Sequence, residues 1–289
     1  MPAFDWRARL VDYTHLLRLQ RPIGALLLLW PTLWALWLAA AGWPGWRLLA
    51  IFTAGVWLTR SAGCAINDYA DRGFDRHIAR TRERPLAVGR IHPAEALALF
   101  ALLMLGALAV AWPLGPAVLR LALPGLLLAA IYPFTKRVTQ LPQAWLGVAF
   151  SWGIPMAYAA VRGQVDWGEA GTLMLANGLW VIAFDTLYAM VDRDDDVRVG
   201  VKSTAILFGR ADRLVVGLCH LGCLLVLAAL GWREQLRWPF YAGLAIAALL
   251  AARQQRLIKN REPAECFSAF LDNNRFGAVI FAGLVLALV

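Results

Sequence analysis

Apolar runs of about twenty residues follow one another almost without interruption along this 289-residue chain. A helix rises 1.5 Å per residue, so a run of that length crosses a hydrocarbon core of about 30 Å. Inside lipid each backbone N–H and C=O must find its partner within the chain, which the helix provides. Nine such runs can be read, at approximately 22–41, 46–66, 94–113, 116–134, 141–161, 171–191, 213–231, 238–252 and 268–288. The eighth is short for a full crossing. Composition agrees: 60% of residues are hydrophobic and 16% charged, against about 45–50% and about 25% in soluble domains. The expectation is an all-α, polytopic membrane protein of about nine transmembrane helices, a single domain with no room for a large soluble one. Many of the 14 tryptophans lie near run ends, where amphipathic rings favour the headgroup level.

A net charge of +9 could point to nucleic acid. The basic residues lie instead in short loops between apolar runs, which is a topology signal and not a binding stripe; no nucleic-acid partner is expected, and the lipid bilayer is. One side collects 21 of the 28 Lys and Arg: the N-terminal segment, the loop after Asn67, Lys136-Arg137, and segments 192–213 and 253–261. The opposite loops keep only Arg47, Arg120, Arg162, Arg233 and Arg237. The positive-inside rule makes the rich side cytoplasmic. The first run is longer than a secretory signal core of about 7–15 residues and reads as a retained helix. The four cysteines form no disulfide framework: Cys64, Cys219 and Cys223 fall in apolar runs and Cys266 in a basic loop. Cys219-His220-x-x-Cys223 lacks a second ligand pair and reads as buried packing.

Two acidic clusters follow directly on apolar runs: Asn67-Asp68-Tyr69-Ala70-Asp71-Arg72-Gly73-Phe74-Asp75 and Asp192-Arg193-Asp194-Asp195-Asp196. Carboxylates at a bilayer boundary are costly unless paired or bound to a cation. Asn67 and Asp192 are separated by the same 125 residues as Asp71 and Asp196. Each cluster closes an even-numbered helix, so the chain reads as two four-helix units in parallel orientation, about 22–134 and 141–252, plus a ninth helix. Such repeats place a functional site at their interface.

Residues four apart share a helix face. Asn67, Asp71 and Asp75 are therefore expected along one edge, with Asp68 beside Asp71, and Asp192 pairs with Asp196. Tyr188 lies one turn before Asp192, and Asp185 is on the same face. Carboxylate and amide oxygens at this spacing suit Mg²⁺, which is usually held by one or two carboxylates, water and substrate phosphates. Two facing sites would grip a diphosphate leaving group and take up its developing charge. A single Asp-rich turn would be better read as a loop solubiliser; two matched clusters are not. Arg72, Lys136, Arg137 and Lys202 lie nearest the helix ends as candidate diphosphate ligands. Arg80, Arg82 and Arg84 follow in the loop. Arg60, inside the second run, must face the interior or a partner.

These residues resemble the UbiA superfamily of intramembrane prenyltransferases, in particular the branch that prenylates 4-hydroxybenzoate in ubiquinone biosynthesis. The N-D-x-x-D-x-x-x-D motif stands as Asn67, Asp68, Asp71 and Asp75, and Y-x-x-x-D-x-x-x-D as Tyr188, Asp192 and Asp196. Arg21-Pro22-Ile23-Gly24, Trp30-Pro31-Thr32-Leu33-Trp34 and Lys202-Ser203-Thr204-Ala205 extend the likeness over essentially the whole chain. The resemblance implies a UbiA-like fold and a bacterial inner-membrane enzyme whose site faces the cytoplasm. It implies Mg²⁺ on Asn67, Asp68, Asp71, Asp75, Asp192 and Asp196, with Asp71, Asp192 and Tyr188 catalytic. Polyprenyl diphosphate would ionise to an allylic cation, and the ring of 4-hydroxybenzoate would attack it ortho to the hydroxyl. Arg21 is the candidate partner of the acceptor carboxylate. Haem, naphthoate or chlorophyll acceptors would share the acidic clusters. A divalent-cation transporter would carry polar or broken segments near the midplane, and the runs here are largely apolar there. A lipid scaffold without chemistry leaves the paired acids unexplained.

Overall fold

The computed structural model describes residues 5–289, with all side chains in that range except that of Lys136. Among the described residues there are only helices and connections: α1 Trp6–Leu16, α2 Ile23–Ala40, α3 Trp46–Asp71, α4 Pro93–Ala111, α5 Pro116–Val138, α6 Pro142–Ser151, α7 Gly153–Arg162, α8 Trp167–Val191, α9 Arg193–Val199, α10 Thr204–Phe208, α11 Asp212–Arg233, α12 Trp238–Leu257 and α13 Pro263–Ala287. Proline opens or nearly opens α4, α5, α6, α12 and α13, where a missing N–H costs nothing and φ is already helical.

Among the described residues all nine expected runs are helical, and eight crossings are long and apolar enough to span a membrane. The other, α12, is the eighth expected run; at 20 residues it is not short, but it ends in the charged stretch that holds Arg253 and Arg256 and is less apolar. The fifth crossing departs from expectation. It consists of two ten-residue helices, α6 and α7, that meet at Trp152. Pro155 has no N–H to offer the turn before it, so the helix cannot continue through Ser151 without a break. Cys266, expected in a loop, is buried in α13.

α2 and α8 carry the centre of the bundle. α2 packs on α3, α7 and α13, and α8 packs on α6, α11 and α13. Trp34 of α2 stacks on Trp180 of α8 with centroids 5.3 Å apart, and Trp180 stacks on Phe276 of α13 at 5.5 Å. The polar edges of these rings are satisfied. Trp180 Nε1 donates to Asn273 Oδ1 at 2.8 Å and Trp30 Nε1 to Asn274 Oδ1 at 2.9 Å. His220 bonds Val216 O and Asn273, and Cys219 and Cys223 are buried beside it, which is the packing role the sequence indicated.

The two ends of the bundle differ in chemistry. One holds both acidic clusters and most of the arginines. The other exposes Trp46, Trp112, Trp232 and Trp238, an aromatic rim of the kind found at membrane interfaces.

Candidate active site between two acidic helix ends

A cavity of about 530 Å³ enters at the acidic end, between the C-terminal ends of α3 and α8. Its mouth is lined by Asn67, Asp68, Asp71 and Asp75 on one side and by Tyr188, Asp192 and Asp196 on the other, with Asp185 two helical turns further in. Deeper, the wall becomes apolar, with Ile51, Phe52, Leu108, Leu114, Leu126 and Met156. Helices 125 residues apart in the chain thus deliver their acids to one space.

The first cluster is not one helical edge. α3 ends at Asp71, and Asp75 opens a short 3₁₀ turn. Asn67 and Asp71 keep the helical i, i+4 contact, with Asn67 Nδ2 donating to Asp71 Oδ2 at 3.1 Å. Asp75 has instead turned inward and is only 3% exposed. The pull comes from Arg84, whose Nη1 donates to Asp75 at 2.9 and 3.1 Å and to Asp68 Oδ1 at 2.9 Å. Arg18 Nη2 holds both oxygens of Asp68, at 2.7 and 2.9 Å. A buried carboxylate needs such partners, since removing it from water costs several kcal/mol. Burial pushes the Asp75 carboxyl above its ordinary value despite Arg84, and Asp68 and Asp71 add to the rise. For Arg84 burial pulls the other way, but Asp68 and Asp75 outweigh it and hold the guanidinium charged.

The second cluster bends too. α8 stops at Val191, and Asp192 is the corner from which α9 departs. The Asp196 N–H donates to Asp192 O at 2.8 Å, so the i, i+4 relation survives the bend. Arg80 forks onto the Asp192 carboxylate and also donates to the Tyr188 hydroxyl. Its guanidinium lies 4.5 Å from the Tyr188 ring centre. The Ala79 N–H donates to Asp195 at 3.0 Å. The connection between α3 and α4 therefore crosses the cavity mouth and holds both clusters, Arg84 on the first and Arg80 on the second.

Other candidate residues divide. Arg21 and Lys202 line the cavity. Arg72 and Arg137 are not brought into it: Arg72 donates to Tyr69 O and covers the Tyr69 ring, and Arg137 donates to Ala70 O. The side chain of Lys136 lies outside the described residues. Arg18, Arg80 and Arg84 carry no local signal that ranks them above the other arginines of their segments. Arg60, expected from its place inside the second run to face the interior or a partner, does face the interior. It lines the cavity, and among the described residues its guanidinium has no hydrogen bond or ion pair. It lies so close to the Gly24 backbone that a side chain on residue 24 would collide with it.

Whether these residues suit a hard divalent cation is a matter of donor chemistry. Asn67, Asp71, Asp185, Asp192 and Asp196 bring carboxylate and amide oxygens to one cavity, the donor set that Mg²⁺ takes. Among the described residues no three His, Cys, Asp or Glu side chains already converge as a ready cage. That is consistent with an ion that keeps water and substrate phosphate in its shell. The residues fit.

Comparison with known proteins agrees with this geometry. Residues 28–281 match the sequence model of the UbiA prenyltransferase family. A 4-hydroxybenzoate octaprenyltransferase of Tolumonas auensis is 58% identical over 95% of this chain and 96% of its own length. One from Nitrosococcus oceani is 55% identical over 97% and 98%. Among solved structures, a UbiA homolog from Aeropyrum pernix superposes with a TM-score of 0.80 at 26% identity, covering 93% of this chain and 98% of that one. One from Archaeoglobus fulgidus, bound to GPP and Mg²⁺, has a TM-score of 0.72 at 16% identity, covering 94% and 99%, and speaks to the fold alone.

Proposed function

The chain belongs to the UbiA prenyltransferase family, and from that premise we propose that it transfers a polyprenyl group from polyprenyl diphosphate to 4-hydroxybenzoate. The new bond forms at the ring carbon ortho to the hydroxyl, and diphosphate and a proton are released. The observation that carries this reading is one cavity with an acidic mouth and a long apolar arm. Such a space fits an amphiphile with a polyanionic head and a hydrocarbon tail. It does not fit an ion path, because Ile51, Phe52 and Leu114 offer a cation no ligands.

Asn67, Asp71, Asp192 and Asp196 would hold Mg²⁺ at the mouth, with Asp68 and Asp75 beside them and Asp185 about 10 Å deeper on α8. Bound there, the ion supplies positive charge to the departing diphosphate. Arg80 and Lys202 line the same mouth and bind phosphate oxygens, while Arg84 stays on Asp68 and Asp75. Moving Arg80 from Asp192 to the diphosphate frees that carboxylate and closes the α3–α4 connection over the substrate. Tyr188 and Phe270, whose ring centres are 4.8 Å apart, face the place where the allylic cation forms and stabilise it through their π faces.

Arg60 lies seven residues before Asn67 on α3, about 10 Å deeper at 1.5 Å per residue. That leaves room for one aromatic ring between diphosphate and guanidinium, so Arg60 binds the acceptor carboxylate, with Arg21 at the mouth. The arginine-rich end faces the cytoplasm of a bacterial inner membrane. Glu83, an exposed position at that end, tests this: among otherwise buried cysteines, Glu83→Cys should label only from the cytoplasmic side.

The decisive experiment is purified protein with 4-hydroxybenzoate and a panel of polyprenyl diphosphates. Ring-prenylated product that disappears in excess chelator is expected. Full turnover in chelator would sink the metal site, and no product with any donor would sink the function.

A further inference from the structure

The break in the fifth crossing has no role in the diphosphate chemistry, yet irregular backbone at membrane depth persists only where it is packed in protein or lines a cavity. The residue at the break, Trp152, lines the apolar arm. It lies ten residues from Pro142, the first residue of α6, which puts it about 15 Å in from the acidic end. A two-isoprene tail stops short of that depth and a long tail does not.

Two contacts fix the ring there. Its Nε1 donates to Leu121 O of α5 at 2.7 Å. It lies directly on Gly125 of the same helix, where an added Cβ would stand 2.7 Å from Trp152 Cδ1. Its neighbour Gly153 is equally tight, an added Cβ there standing 2.7 Å from Thr32 Oγ1 of α2. Below 3.0 Å something must shift, so both glycines are needed for α6 and α7 to approach α5 and α2 as they do. Beyond the ring the arm continues past Phe52, Ala111, Leu114, Ala122 and Met156, apolar throughout.

We propose that Trp152, seated on Gly125, is the specificity-determining wall of the tail channel. It leaves short donors untouched and decides how well the distal units of a long tail pass. This rests on the reading of the apolar arm as the prenyl channel.

The test compares kcat/KM for a two-isoprene and an eight-isoprene diphosphate at saturating 4-hydroxybenzoate. Gly125→Ala pushes the ring into the channel. It is expected to lower the value for the long donor about tenfold or more, the scale that one methylene carries in a tight apolar pocket, and to leave the short donor within about twofold. Trp152→Phe, smaller and without the N–H, is expected to restore the long donor in the Gly125→Ala background. Alone it should raise the long-to-short ratio, which keeps the test open if Gly125→Ala does not fold. Equal loss with both donors, or an unchanged ratio in Trp152→Phe, overturns the proposal. Wild-type protein that uses neither donor overturns the parent reading instead, and this one with it.

Discussion

The two acidic helix ends look alike in sequence and are held in opposite ways. At the end of α3, two carboxylates have been drawn into the protein. Asp68 and Asp75 are 1% and 3% exposed and share Arg84, with Arg18 on Asp68 as well. At the end of α8, Asp192 stays at the cavity wall, and its guanidinium, Arg80, comes from the same α3–α4 connection that carries Arg84. The first end is a buried network that shapes the mouth, and the second is a carboxylate whose partner can be exchanged for substrate. Two clusters of similar composition thus supply fixed structure on one side and an exchangeable contact on the other, because burial turns a charged ligand into a fixed strut.

Substitutions can break that contrast in a graded way. The largest effect is expected where the two ends are equivalent. Asp71→Ala and Asp192→Ala should each lower prenyl transfer by about 10³-fold or more while the protein elutes normally in detergent, and near-normal turnover in either would remove the diphosphate clamp. Next comes Arg84→Ala, which strands Asp75 and should cost about 3–5 kcal/mol of stability, read as a fall in thermal denaturation temperature. Adding Asp75→Asn should recover most of it. Arg80→Ala should cost less, about 1.5–3 kcal/mol, because Asp192 keeps access to solvent, and should reduce activity more than stability. If Arg80 and Arg84 variants lose stability equally, the contrast fails. Arg60→Gln should raise KM for 4-hydroxybenzoate about 10- to 100-fold, the loss of one charge-assisted contact, with the diphosphate KM unchanged. Smallest is Asp195→Ala, which removes the Ala79 N–H bond and should cost about 0.5–1.5 kcal/mol.

Part of this arrangement is legible in the chain. The oxygen donors that line the mouth, the Asn67 amide and the carboxylates of Asp71, Asp192 and Asp196, follow from i, i+4 spacing at helix ends, a local property. Spacing alone puts Asp75 on the same helical edge, and nothing local reports that Arg84 turns it inward. Arg72 and Arg80 both lie in the arginine-rich stretch after α3, and the chain gives no reason to rank one over the other. Only the turns of the α3–α4 connection put Arg80 on Asp192 and leave Arg72 on Tyr69. Lys202 and Arg21 reach the cavity as their position near helix ends indicated, whereas Arg137 does not.

What the amino-acid order by itself determined is the set of membrane crossings, the sided distribution of charge and the two acidic ends. These rest on transfer free energy and on helical period, both readable from neighbours within a few residues. Which arginine meets which carboxylate, the close packing of the Arg60 guanidinium against Gly24 and the break at Trp152 were decided by the tertiary structure. Each joins residues far apart in the chain, and the energy that fixes them exists only once the helices have packed.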